Sequence, residues 1–472
     1  MIDMPILTVV QQNIRTRLAF DGTPLLRDVL TMGGFSVLSP CGGKGTCGKC
    51  TVLREDGTEI LSCRTVLEGD LTVFLPDAED ARIETSDMLA ERMDGYGAAV
   101  DIGTTSVVCK VFAPDGACVG ERSCLNPQRA FASDVIGRID AALHGKGELL
   151  QRQINDCVQA LLNEAGKGHS VQTLVATGNT AMLYLLTGRS PASIARAPFV
   201  SETLFGETVS IGGVEAYLPP CMDAFVGADM TCAVLASGMT DKREVALLCD
   251  IGTNGELALW KDGTLYVTST AAGPAFEGAE ISSGCGGIVG AIDRVYAANG
   301  RVYAHTIGDM PAVGICGSGL IDAIAAFLQT EQIDETGAME DDVLVLAANG
   351  GEVTLTQGDV RAVQLAKAAV AAGIERLLAH AQVRAEEVET VYLAGGFGNR
   401  LSVESAVTIG LLPRACLHKT VPIGNAALAG ATMLLAGTEA KQKAAQIARL
   451  SRHVPLGGNE AFNEAFVEHM MF

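Results

Sequence analysis

Through the first eighty residues apolar and polar positions alternate in short runs. Pro5–Val10 and Arg15–Phe20 read as two strands joined through Asn13, and Leu25–Met32 as one short helix stopped by Gly33-Gly34. Thr51–Arg54, Glu59–Ser62 and Leu71–Leu75 follow as strands, the first two turning at Asp56-Gly57 and the last closed by Pro76. From Gly97 onward the period lengthens. Helical stretches are predicted at Ser133–Leu143, Leu149–Glu164, Asp229–Ser237, Leu320–Leu328, Ala362–Ala381 and Gly424–Ala436, between apolar strands such as Leu174–Ala176 and Val391–Ala394. Strands alternating with helices predict mixed α/β sheets covered on both faces.

The second pattern is a repeat. Ala98-Ala99-Val100-Asp101-Ile102-Gly103-Thr104-Thr105 returns 149 residues later as Leu247-Leu248-Cys249-Asp250-Ile251-Gly252-Thr253-Asn254. Each copy precedes a strand, an Asp-Gly turn (Asp115-Gly116, then Asp262-Gly263) and another strand, which predicts two homologous halves. The expected domains are 1–80, a linker at 81–96, a first half at 97–238, and a second half at 239–472 that includes the C-terminal helices. The linker lies in an acidic stretch, 77–95, with seven Asp or Glu side chains, read as connection and short polar helix.

Composition narrows the functions. The chain has 472 residues, 48% hydrophobic and 19% charged, with 34 Lys plus Arg against 55 Asp plus Glu, a net charge of -21. Residues 1–80 hold 7 basic and 11 acidic side chains, so both parts are acidic and no basic domain hides behind the total. Nucleic-acid binding over a broad surface is therefore not expected, since phosphate contacts need Lys and Arg clusters. Mean hydropathy is +0.28, yet no apolar run reaches the ~18 residues of a membrane span. The first residues lack a signal peptide's basic and apolar regions, so a soluble cytoplasmic protein is expected.

Of fourteen cysteines, four fall within 23 residues: Cys41, Cys47, Cys50 and Cys63, spaced C-x5-C-x2-C-x12-C. In a reducing compartment such a cluster points to metal rather than disulfides. The pattern is close to the plant-type ferredoxin loop with one additional residue in the first gap, and its glycines let backbone amides turn toward cluster sulfurs. Four thiolates also suit tetrahedral zinc, but zinc ribbons pair two C-x2-C knuckles, whereas three of these cysteines crowd one glycine-rich loop. A [2Fe–2S] cluster is the expected occupant, in a unit that resembles the β-grasp ferredoxin fold.

The repeated Asp-Ile-Gly-Thr carries the second chemistry. A carboxylate at a strand end holds hydrated Mg²⁺, and the tight turn lays amides and hydroxyls against phosphate. Candidate nucleotide residues are Asp101, Gly103, Thr104 and Thr105 in the first copy, and Asp250, Gly252, Thr253, Asn254 and Gly255 in the second. Tyr392-Leu393-Ala394-Gly395-Gly396-Phe397-Gly398-Asn399 runs a strand into glycines that admit a flat adenine or ribose, or else forms an ordinary strand-end turn. Gly314-Ile315-Cys316-Gly317-Ser318-Gly319 opens a helix whose amides meet phosphate or ribose.

These residues resemble the acetate and sugar kinase, heat-shock chaperone and actin superfamily over about 97–436, which implies a duplicated actin-like (ribonuclease H-like) ATPase with its nucleotide cleft between two halves. The resemblance suggests Asp229, in Val226-Gly227-Ala228-Asp229-Met230, as the carboxylate that orients the attacking water; an N-capping role is the alternative. Joined to the cysteine unit, the whole chain resembles the reductive activators of corrinoid proteins. Asn126-Pro127-Gln128, Ala176–Met182 and Ala272–Ala279 are further similar stretches. Larger members carry an additional domain between cluster and ATPase, where this chain has roughly twenty residues. The resemblance implies ATP-dependent transfer of one electron from the cluster to reduce Co(II) to Co(I) for methyltransferase or O-demethylase systems. The implied cofactors are [2Fe–2S], ATP and Mg²⁺. The implied partners are a corrinoid protein, a low-potential donor such as ferredoxin or flavodoxin, and a second copy of the chain. A corrinoid-binding Asp-x-His-x-x-Gly is absent, so the corrinoid is expected on the partner. The competing reading is a small-molecule kinase of the same superfamily regulated by its redox cluster. A third, a scaffold-like ATPase with structural zinc, leaves the ferredoxin loop without a use.

Overall fold

A computed structural model of the chain describes residues 4–11, 14–33, 35, 37, 45, 50–75, 90–396 and 401–472. The N-terminal unit is a five-stranded mixed sheet. Ile6–Gln11 pairs antiparallel with Ile14–Ala19 and parallel with Leu71–Phe74, and Thr51–Arg54 lies antiparallel to both Leu71–Phe74 and Glu59–Leu61. Alternation drives it: Leu7 and Val9 point inward with Val52 and Val73, and the helix Leu26–Met32 covers them with Leu26 and Leu30. This is a β-grasp arrangement. Of the expected linker, 81–96, residues 81–89 lie outside the described residues, and Tyr96 already belongs to the strand Tyr96–Ile102.

The duplication is visible as two six-stranded sheets of the same plan. In the first, Tyr96–Ile102, Ser106–Phe112 and Cys118–Leu125 form an antiparallel meander, and Val171–Gly178 lies parallel to Tyr96–Ile102. In the second, Ala246–Ile251, Gly255–Lys261 and Thr264–Thr270 repeat the meander, and Thr390–Ala394 takes the parallel place. Asp101 and Asp250 occupy the same position in each, one residue before the end of the first strand.

Helices Ala228–Ser237 and Ala426–Met433 pack between the sheets. A Cβ at Gly430 would lie 2.1 Å from the Cys232 carbonyl oxygen, so only glycine lets these backbones approach so closely. They belong to a core that includes Ala99, Val108 and Phe112 of the first sheet and Leu248, Ala258 and Trp260 of the second. That shared core joins the halves.

The predicted helices are present with shifted ends. Ser133–Leu143 is shorter, running Val135–Ala141 from an Asp134 cap, and Ala362–Ala381 extends back to Gln357, where Thr356 and Asp359 form a capping box. Four further helices, Thr180–Thr187 in the first half and Val403–Thr408, Thr438–Leu450 and Glu460–Glu468 in the second, and two hairpins of the second half, Ala291–Ala298 with Arg301–Thr306 and Val343–Ala348 with Gly351–Thr356, are also present. Thr180–Thr187 is buried all round, so it shows no amphipathic stripe to betray it.

Candidate nucleotide site and cysteine pair

The two Gly-Thr turns face each other across a cavity of about 540 Å³. Asp101, Gly103, Thr104 and Thr105 line it from the first half, and Asp250, Gly252, Thr253 and Asn254 from the second, with Asp229, Gly317, Ser318, Gly395 and Gly396 completing the expected set. Gly255 is elsewhere: a Cβ there would meet Thr270 and Val370 in the packed interior, which explains the glycine without a ligand. Phe397 and Gly398 lie outside the described residues.

The glycines serve close approach. Gly395 has φ +118°, and a Cβ on it would come within 2.4 Å of the Ile251 carbonyl and 3.3 Å of Asp250 Oδ1. A Cβ at Gly317 would fall 1.8 Å from the Phe276 carbonyl, seating the first turn of helix Gly317–Gln329 on the segment Pro274–Glu277. The Ser318 hydroxyl donates to the Asp293 carbonyl at 3.0 Å, so it serves the local backbone.

The turns are held from behind. Asn126 donates through Nδ2 to the Gly103 carbonyl at 2.8 Å, and its amide donates to the Thr105 carbonyl at 2.9 Å. Arg138, fully buried, donates to the carbonyls of Thr104 and Ala132. Burial lowers its pKa to about 9.

Electrostatics set the cleft apart. Burial pushes the Asp101 carboxyl up to about 6, partly offset by Asn425 Nδ2, which donates to Asp101 Oδ2 at 2.9 Å. Burial, with the charges of Asp101 and Glu277, pushes Asp250 up to about 7. Asp229 is raised by burial and by Asp101 and Asp250, against the Met230 amide that donates to its Oδ1 at 2.8 Å. Glu256, only 6% exposed, is raised by burial and the charges of Asp229 and Asp250, while Asn179 Nδ2 donates to it at 3.1 Å. With Glu277, five carboxylates thus share one cavity, whose described lining contains one basic side chain, Arg129. Such a set fits a divalent cation, which replaces mutual repulsion by attraction. Among the described residues no three acid, His or Cys side chains close on a single point; Mg²⁺ that keeps several of its waters needs only one or two carboxylates.

Asp229 is not the helix cap. That position belongs to Gly227, and Asp229 lies inside the first turn with its carboxyl toward the cavity. A Cβ at Gly227 would clash with the Asn179 Cα at 2.5 Å, so glycine there brings the Asn179 and Asp229 segments together.

Sequence reasoning left Glu256, Glu277, Arg129, Asn179 and Asn425 without roles. Three of them sit in or beside stretches already singled out: Asn179 in Ala176–Met182, Glu277 in Ala272–Ala279, and Arg129 directly after Asn126-Pro127-Gln128. Glu256 is paired across the hairpin with Asp250, and that cross-strand pairing was its available signal.

In the N-terminal unit, Cys50 and Cys63 are both buried, and their sulfurs stand 3.1 Å apart without a disulfide. Two facing thiols brought from thirteen residues apart suit a shared thiolate-bound metal centre. Cys41 and Cys47 lie outside the described residues.

Comparison with known proteins fits this arrangement. Residues 96–242 match the RACo middle region, and residues 244–472 match the C-terminal domain of RACo, the ASKHA domain. A corrinoid activation enzyme, RamQ of Eubacterium limosum, is 33% identical over 420 residues, covering 80% of this chain and 70% of that one. The chain belongs to the RACo family of corrinoid activators. A family relative in Methanosarcina barkeri, a [Co(II) methylated amine-specific corrinoid protein] reductase, is 28% identical over 294 residues, 57% of this chain and 53% of its own. A solved reductive activator for corrinoid, iron-sulfur protein superposes with a TM-score of 0.74 at 26% identity, covering 99% of this chain and 98% of that one.

Proposed function

We propose that this chain is an ATP-dependent reductive activator that returns the cobalt of a partner corrinoid protein from Co(II) to Co(I), in service of a methyltransferase or O-demethylase system. The observation that carries the reading is the meeting of the two duplicated turns at Thr105 and Thr253, whose hydroxyl oxygens stand 3.0 Å apart in a cavity with carboxylates from both halves. Either half alone presents part of a phosphate site; together they enclose one.

Thr105, Thr253 and the turn amides bind phosphate oxygens, and Arg129 offsets part of their charge. Asp101 and Asp250 would hold Mg²⁺, and the ion, when bound, would neutralise phosphate charge. Asp229 orients the attacking water, its raised pKa suiting it to take a proton near neutral pH. Cys41, Cys47, Cys50 and Cys63 hold a [2Fe–2S] cluster, which when bound supplies electrons singly; a ferredoxin or flavodoxin is the donor. Reducing Co(II) across a gap of ~0.2 V costs roughly 5 kcal/mol, scaling from about 1.4 kcal/mol per 59 mV. A chain whose binding of ATP and of the corrinoid protein is cooperative offsets that cost by favouring one state of the complex.

The test is the cobalt absorbance spectrum of a corrinoid protein under a low-potential reductant with this protein, with and without Mg·ATP. Co(I) is expected to accumulate with ATP, and the corrinoid protein to accelerate hydrolysis. Equal Co(I) yields in both cuvettes overturn the reading. Phosphoryl transfer to a metabolite, indifferent to corrinoid protein, would replace it by the small-molecule kinase.

A further inference from the structure

In the cavity, the hydroxyls expected to meet phosphate are already engaged. Thr105 Oγ1 donates to Glu277 Oε2 at 2.6 Å, and Thr253 Oγ1 donates to the same oxygen. One hydroxyl comes from each half, and each has a single proton to give. The other carboxylate oxygen lies against the second turn, 3.6 Å from where a Cβ on Gly252 would be. Glu277 therefore sits on the paired turns as an anion sits in its site.

We infer that Glu277 is a built-in occupant of the phosphate site: its carboxylate holds the two turns together in the nucleotide-free cleft, and a triphosphate binds by displacing it. The inference rests on the nucleotide reading above and deepens it. Competition follows from proton count, because neither threonine can donate to Glu277 and to a phosphate oxygen at once. Charge acts in the same direction, since a polyphosphate entering beside an undisplaced carboxylate meets like charge. The displaced segment has somewhere to pass its motion. Pro274–Glu277 is a single turn bracketed by Gly273 and Gly278, with φ of +79° and +76°, and the Phe276 carbonyl rests on Gly317. Release of Glu277 thereby reaches the helix Gly317–Gln329, whose first turn rests on this segment and also lines the cavity.

The test uses the full chain and Mg·AMP-PNP in isothermal titration calorimetry. Glu277→Ala is expected to tighten AMP-PNP binding about tenfold, the scale of one lost charge-assisted competitor. Glu277→Gln is expected to fall between, because its amide oxygen still accepts but carries no charge. Unchanged or weaker binding in both variants overturns the inference and returns Glu277 to a catalytic or structural part. Hydrogen exchange on the unsubstituted chain gives a second readout free of folding effects. AMP-PNP is expected to speed exchange at the Gly278 and Ala279 amides, now bonded to the Ala275 and Pro274 carbonyls; slowed or unchanged exchange there overturns the latch. Absence of AMP-PNP binding by the unsubstituted chain overturns the latch and the ATP reading together, whereas binding with insensitive variants overturns the latch alone.

Discussion

Replacing Asp101 with Asn is expected to stabilise the nucleotide-free protein while disabling it. Burial lifts this carboxyl from 3.8 to about 6 in spite of the Asn425 amide on its Oδ2. A carboxyl raised that far carries a cost of about 3 kcal/mol once it is ionised in the folded state. Between about pH 4 and 6 the folded chain keeps a proton that the unfolded chain has released, so stability falls as pH rises through that window. Asn keeps the shape, and its own Oδ1 accepts the same Asn425 hydrogen bond, so the substitution removes charge and little else. Asp250 and Asp229 lose a repelling neighbour as well. The expected gain is about 3 kcal/mol near pH 7.5 and about 2 kcal/mol near pH 5.5, upper bounds because cleft water screens part of the charge. Urea titration followed by Trp260 fluorescence reads it out; this is the chain's one tryptophan, and it lies in the core shared by both halves. Hydrolysis is expected to fall in the same variant, and Mg·ATP to stabilise the parent more than the variant. A variant no more stable than the parent near pH 7.5 would refute the reasoning, since the carboxylate would then carry no penalty to relieve.

Asp229→Asn is expected to cut hydrolysis at saturating ATP about 100-fold, the scale of a lost general base, with nucleotide affinity within about twofold; an unchanged turnover number assigns Asp229 to its helix turn alone. Cys63→Ser is expected to abolish iron binding and Co(I) formation while nucleotide binding, measured by calorimetry, persists. Gly430→Ala, which in an exposed helix would gain about 1 kcal/mol, is expected here to cost about 2–3 kcal/mol in urea titration, because its Cβ meets the Cys232 carbonyl; a stabilised variant would contradict the close helix contact.

Much of the architecture could be read along the chain because its determinants are local. Alternation at Leu7 and Val9, the stop at Gly33 and the Asp-Gly turns each act over a few residues, and the Asp-Ile-Gly repeat announced the duplication outright. The cysteine spacing likewise points to a metal centre, and Cys50 and Cys63 face each other in the fold. Thr180–Thr187 escaped notice because a helix buried on every side shows no period.

The cleft itself belongs to the tertiary structure. Asn425 lies 324 residues from the Asp101 it donates to, and Glu277 lies 172 residues from Thr105. No window along the chain contains both members of either pair. Sheet register aligns Asp101 with Thr177 and Asp250 with Ala394, and helix contact at Gly430 brings the halves together. Gly255 makes the complementary point, a glycine beside the motif whose reason is packing against Thr270 and Val370. Local spacing decides which turns can bind phosphate, because a turn's φ and ψ are set by its own residues. Which carboxylates gather around those turns, and how far their pKa values rise, depends on burial and on charges brought from distant segments, and these exist only once the chain is folded.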